Sequence, residues 1–265
     1  MKNPITPMLF FSILLFSPLD IVKAKPVLST ENNSIEFTSR ETQATMIELY
    51  TSEGCSSCPP AETRLNKYAF DKDLWQSIIP IAFHVDYWDY IGWRDRFARP
   101  EHGKRQSRYA KLNHQRTVYT PAFVVNGKNW RPGYIFNKSP DQNTKQVGTL
   151  SLKLQNKSIQ VQFNPVQKSN MPLLLNIAVL GMDLTSDIKR GENEGRKAEH
   201  HFVVLAQQQT PQQLVLSNSL KWETEIPALK KLRAPRYALV AWVSRQDHPA
   251  PLQAIGGYLP SQFVE

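Results

Sequence analysis

Cysteine is nearly absent from this chain: 265 residues hold two, Cys55 and Cys58. A scaffold stapled by several disulfides is therefore excluded. A four-cysteine zinc site is excluded too, because no second pair exists to complete the tetrahedron. After Leu19 there is no apolar run of the roughly 20 residues that a membrane-spanning helix needs, so no stable membrane insertion is expected once the leading segment is removed. Internal repeats and extended low-complexity tracts are missing, as is any recognisable nucleic-acid module, and no nucleic-acid partner is expected.

What is present begins at the N-terminus. Lys2 supplies a positive start, Met8 to Leu19 form a short apolar stretch, and Val22-Lys23-Ala24 reads as a cleavage site. This pattern predicts a signal peptide over residues 1–24 and a secreted or periplasmic protein, in a compartment where disulfides persist. Net charge is +9, or +8 without residues 1–24, which favours solubility and acidic partners or membrane surfaces. Much of the positive charge lies in "WRDRFARPEHGKRQSRYAKLNHQR" (93–116), whose interleaved Phe97, Tyr109 and Leu112 suggest a helix with a solvated basic face.

The patterning divides into two halves. After an extended segment over 25–44, residues 45–140 alternate strand and helix. "ATMIELYTS" (44–52), "IIPIAFHVDYW" (78–88) and "TPAFVVNG" (120–127) read as strands. Helices fall after the cysteines, with prolines in the first turn, and in the basic stretch. That order predicts an α/β layer. The polar "SPDQNTKQ" (139–146) reads as a boundary. Beyond it, over 147–265, come short alternating segments, among them a hairpin through Asn156-Lys157, and no convincing helix. An antiparallel β-sandwich is expected there.

Two thiols three residues apart can close a small loop, hold part of a metal site, or exchange a disulfide with another protein. Cys55 follows a strand and Cys58 opens the following helix, the setting in which Cys-x-x-Cys reads as redox chemistry. At such a helix start, free N–H groups and the positive dipole end would stabilise a thiolate on Cys55, lowering its pKa into the roughly 3.5–7.5 range of reactive pairs. Cys58, more buried, would then resolve the mixed disulfide. None of the six histidines recurs at a ligand spacing beside the pair, so no metal and no cofactor are expected. Pro121 opens the third strand. A cis Thr120–Pro121 bond would turn the chain sharply toward the sulfurs, cis bonds being nearly confined to proline.

"ELYTSEGCSSCPP", "HVDYWDYIGWRDRF", "RQSRYA" and "VYTPAFVVNG", in that order, resemble the secreted thioredoxin-like family catalogued as domain of unknown function 1223. "GENEGR" (191–196) and the β-rich run after it are similar to that family's C-terminal half more loosely. The resemblance implies a thioredoxin-like N-terminal domain with Cys55 and Cys58 at the redox position and Pro121 at the cis-proline position. Ser56-Ser57 replaces the Gly-Pro of thioredoxin itself, so the direction of electron flow stays open. Thioredoxins also keep a buried acid before the motif, and Glu48 stands one residue further upstream than that acid does.

A buried Glu48 would suit acid–base work or a structural ion pair. His84 and Asp86 alternate onto one strand face and predict a His84–Asp86–Glu48 cluster, for proton supply or for structure. Thr120, Pro121 and Trp88 would receive an extended substrate segment. "GENEGR" offers too few oxygens for calcium and reads as a turn. The expected function is thiol–disulfide exchange with protein thiols or disulfides, a redox partner protein among them. A binding module with a permanent Cys55–Cys58 disulfide is the alternative, as is a Cu(I) carrier in which His84 approaches both sulfurs.

Overall fold

A computed structural model describes residues 34–131, 139–141, 143–168, 172–212, 214–216, 219–229 and 232–264. The expected signal peptide over 1–24 lies outside them. Fifteen strands and two α-helices follow in order: β1 (Ser34–Thr38), β2 (Thr45–Thr51), α1 (Pro59–Asn66), β3 (Ile78–His84), α2 (Pro100–Leu112), β4 (Ala122–Val125), β5 (Lys128–Trp130), β6 (Gly148–Gln155), β7 (Ser158–Pro165), β8 (Leu173–Met182), β9 (Leu184–Asp187), β10 (Lys197–His200), β11 (Val203–Pro211), β12 (Leu214–Leu216), β13 (Ser219–Glu225), β14 (Arg236–Arg245) and β15 (Pro251–Leu259). No helix among the described residues is long and apolar enough to cross a membrane.

The strands form an eight-stranded sheet in the order β15-β14-β8-β11-β3-β2-β4-β5, a five-stranded sheet β1-β6-β7-β13-β12, and the pair β10-β9. β2 and β3 are buried along their whole length, as strands covered on both faces should be. β6 and β7 alternate buried and exposed residues, burying one face each. Their two-residue turn places Asn156 at φ 56°, and the β4–β5 turn places Asn126 and Gly127 at 45° and 83°, as tight hairpins demand. The five-stranded sheet meets the large one at β15, where Phe37 of β1 packs onto Gly257 so closely that a β-carbon there would lie 2.2 Å from its ring.

The expectation of a thioredoxin-like α/β domain followed by an antiparallel sandwich is overturned. Strands hold several times as many of the described residues as helices do, and the α-helices are only two and short. β2, β3 and β4 do not make a sheet of their own. β3 takes β11 as its second neighbour, in parallel, at Val203–Ala82, and β8, β14 and β15 extend the same mixed sheet. Two things make this junction. Pro80 has no N–H to offer mid-strand, yet β11 meets β3 only near Ala82, where the amide of Ala82 donates to Phe202 O at 2.8 Å. Two short helices, moreover, cannot bury both faces of an eight-stranded sheet, and a second sheet covers what they leave open.

Candidate functional site

Parallel pairing of β2 with β3 sets Thr51 beside His84 and Glu48 beside Ile81. Side chains alternate along a strand, so His84 shares a face with Thr51, and Glu48 points to the opposite one. Thr51 donates to Glu62 of α1 at 2.6 Å; Glu48 meets Arg105 of α2. α1 and α2 therefore lie on opposite faces, and the expected His84–Asp86–Glu48 cluster does not assemble.

On the α2 face, Glu48 is completely buried. It accepts from Arg105 Nε at 2.7 Å and Nη2 at 3.0 Å, Tyr50 Oη at 2.9 Å and Tyr109 Oη at 2.6 Å. Both oxygens are fully engaged, and neither cysteine is a partner. Burial pushes both tyrosines well above their usual pKa, with the Glu48 charge adding to it. Burial works against the Arg105 charge, but Glu48 outweighs it and holds the guanidinium protonated. Arg105 thus leaves the predicted solvated face of the basic helix, and His102 and Gln106 are buried beside it. Asp86 is half-buried and faces Gly103 of α2.

On the α1 face lie the cysteines. Cys55 and Cys58 form a disulfide with Cα atoms 5.4 Å apart. Ser56 and Ser57 between them are exposed, but both cysteines are fully buried. The predicted free amides are not there. Cys58 caps α1, Pro59 and Pro60 have no N–H, and the amides of Ala61 and Glu62 donate to Cys58 O at 2.9 and 3.1 Å. The 188–196 turn is bonded to the cysteine loop. Asn193 Nδ2 donates to Glu53 O at 2.8 Å and Cys55 O at 2.9 Å, and Ser56 N donates to Glu192 at 3.3 Å.

The Thr120–Pro121 bond is cis. Since Tyr50 pairs with Ala122, the proline sits level with the end of β2, where the cysteine loop starts. Trp88 spans the gap: its Nε1 donates to Thr120 Oγ1 at 2.6 Å, and its Cβ would lie 3.3 Å from a β-carbon on Gly54. Thr120, Pro121 and Trp88 are all half-buried.

Beneath the loop is a buried cluster that sequence reasoning missed. His84 Nδ1 donates to Asp95 Oδ2 at 2.7 Å, since a carboxylate only accepts. His200 Nδ1 meets Glu62 Oε2 at 2.8 Å, and its Nε2 lies 3.3 Å from Glu53 Oε1, at an angle that makes no hydrogen bond. Glu53 is held by Trp93 Nε1 at 2.7 Å, and its amide donates to Asp95 at 2.9 Å. Burial disfavours a charged His200, but Glu53 and Glu62 outweigh it and raise its pKa to about 10. His84 is also raised, Asp95 overcoming burial. His102, sealed against His84 O, is pushed down by burial to about 4. Of the acids and histidines in this cluster only His84 stood out in the sequence. "EHH" (199–201) carried the other imidazole, but a separation of 138 residues between Glu62 and His200 hides the pair. His84 faces Asp95, Phe97 and His200.

Similarity to solved structures adds the fold. Protein AGR_C_4864 from Agrobacterium tumefaciens is 23% identical, with a TM-score of 0.56 over 83% of this chain and 95% of that one. HBP35 of Porphyromonas gingivalis is 15% identical, with a TM-score of 0.55 over 82% of this chain and 76% of that one. No curated protein matches the chain. The model of the family described as "Protein of unknown function (DUF1223)" matches residues 46–244, and the chain belongs to that family.

Proposed function

We propose that the protein exchanges thiols and disulfides with a partner protein through Cys55 and Cys58, after export to an oxidising compartment. The observation that carries this reading is the place of the pair: a disulfide closing the β2–α1 turn, tied by Trp88 to Thr120 of the cis Thr120–Pro121 bond. A partner thiolate attacks Cys55 Sγ, and Cys58 leaves as a thiolate. A second partner thiol then displaces Cys55, leaving a partner disulfide and a Cys55/Cys58 dithiol; two electrons enter the pair and two protons accompany them. The reverse sequence breaks a partner disulfide by the same bonds. Thr120, Pro121 and Trp88 would hold the partner segment beside the sulfurs. No cofactor takes part.

Full burial of both cysteines favours a second reading, in which the disulfide is permanent and the protein only binds a partner. One experiment separates them. Reduced Cys58→Ser protein is mixed with a disulfide-containing peptide, and wild-type protein is equilibrated in glutathione buffers of graded potential. Exchange predicts a peptide adduct on Cys55 and a reversible two-electron transition. A folded variant whose Cys55 stays unmodified, with a wild-type pair oxidised in every buffer, overturns exchange and leaves the permanent disulfide.

A further inference from the structure

We propose that Glu62, His84 and His200 form a binding site for a divalent transition-metal ion of the zinc class. Each offers one donor atom, the histidines as neutral imidazoles whose extra protons are released to solvent as the ion binds, and the three atoms lie within 4.8 Å of one another. Ligands at about 2.0–2.1 Å around a tetrahedral ion stand roughly 3.3 Å apart, so a modest contraction of side chains completes the set.

Unpartnered atoms point to a ligand at this spot. His84 Nε2 is buried without a hydrogen-bond partner, and His200 Nε2 and Glu53 Oε1 face each other at 3.3 Å as a buried ion pair that makes no hydrogen bond, on residues exposed by no more than 2%. Buried polar atoms rarely stay unpaired, because each costs about 1–3 kcal/mol. An orphaned imidazole nitrogen beside an ion pair that makes no hydrogen bond marks a place where a ligand fits.

The surrounding contacts have the form that metal-ligating histidines take. Such a ring donates its other N–H to a carboxylate, which fixes its tautomer and orientation. Asp95 does this for His84 at 2.7 Å, and Asp95 is itself anchored by the amides of Glu53 and Phe97, each at 2.9 Å. Three carboxylates (Glu53, Glu62 and Asp95) surround two imidazoles, so the interior is short of positive charge. Glu53 stands beside His200 as a further oxygen donor.

The donor set chooses the ion. Imidazole with carboxylate suits Zn²⁺ and its first-row neighbours; Cu(I) prefers sulfur and Ca²⁺ wants six to eight oxygens. An entry path exists, since a cleft of about 320 Å³ is lined by Glu53, Glu62, Asn193 and His200. The sulfurs contribute nothing to the set, so the site stands whether or not the cysteines exchange.

The test uses full-length protein stripped with chelator. Zn²⁺ is titrated by calorimetry, and Co²⁺ serves as the spectroscopic probe. Expected are one saturable Zn²⁺ per chain and a Co²⁺ spectrum with d–d bands but no thiolate charge-transfer band. Wild-type protein alone decides this much, which guards against variants that fail to fold. His84→Gln and His200→Gln should each abolish binding. Asp95→Asn, a positioning change, should weaken it by about 10- to 100-fold, and Cys55→Ser/Cys58→Ser should bind Zn²⁺ unchanged. The absence of saturable binding by wild type, binding retained in a folded His84→Gln protein, or binding lost with the cysteines would each overturn the site. In the first case the cluster is a closed network of buried ions.

Discussion

Asn193 Nδ2 donates to the carbonyl of Cys55 at 2.9 Å and so holds a turn from the second half of the chain against the cysteine loop. The same amide reaches Glu53 O at 2.8 Å, and Glu192 adds a contact from Ser56 N. Two bonds at about 1 kcal/mol each correspond to roughly 30-fold in the equilibrium between a covered and an open loop. Asn193→Ala should therefore speed reduction of the disulfide by dithiothreitol by about that factor. The rate is read by trapping free thiols over time under conditions where the fold is intact. An unchanged rate would mean that the turn does not control access to the sulfurs.

Gln253 joins the two large sheets in a similar way. It is fully buried. Its Nε2 reaches Arg40 O at 3.0 Å, Thr42 O at 3.2 Å and Gly148 O at 2.9 Å, while Oε1 accepts from the amides of Ala44 and Ala254 at 3.0 Å. Gln253→Leu leaves these backbone groups without a partner, at about 1–3 kcal/mol for each that stays dry. A loss of about 3 kcal/mol in urea unfolding is expected. Gln253→Glu should lose more, because it sets a carboxylate against three carbonyl oxygens.

How much of this was legible in the sequence depends on range. Strand positions were readable where patterning is local: the β6–β7 hairpin falls at Asn156-Lys157, and β2, β3 and β4 lie within the segments 44–52, 78–88 and 120–127 expected for them. The sheet order was not. β3 meets β11 at one residue pair, Val203–Ala82, and a single long-range contact leaves no periodic trace. The prolines carried information that the motif obscured. Pro59 and Pro60 follow Cys58 directly, so the first turn of α1 was always short of free amides. Glu48 and His84 were singled out together, but strand parity sends them to opposite faces once Thr51 pairs with His84. Parity can be applied to a sequence only after the register is known.

Arg105 and Glu48 make a buried ion pair that two tyrosine hydroxyls complete. Removing one partner of such a pair strands the other charge, typically at about 3–5 kcal/mol. Arg105→Met should destabilise the protein by that amount, and Glu48→Gln placed in the same chain should recover part of the loss by removing the stranded carboxylate. Four unfolding curves, arranged as a double-mutant cycle, measure the coupling. Additive losses would show that the pair does not act as a unit.

The same network predicts how the fold responds to base. Burial first, and then the Glu48 charge, raise Tyr50 and Tyr109 well above 10 in the folded chain, while in the unfolded chain both return to about 10. For a group whose folded pKa is raised, the stability it contributes is complete below the unfolded value and lost as pH climbs above it. The unfolded chain then releases protons that the folded one keeps, so each tyrosine adds a downward slope approaching about 1.4 kcal/mol per pH unit. Urea midpoints should therefore hold level across these two titrations up to pH 10 and fall steeply beyond. Tyr50→Phe removes one hydroxyl, the one that gives a single bond to Glu48, and should flatten that fall by about half of the two-tyrosine share. An alkaline limb identical in Tyr50→Phe and wild type would show that Tyr50 ionises as freely in the folded chain as in the unfolded one.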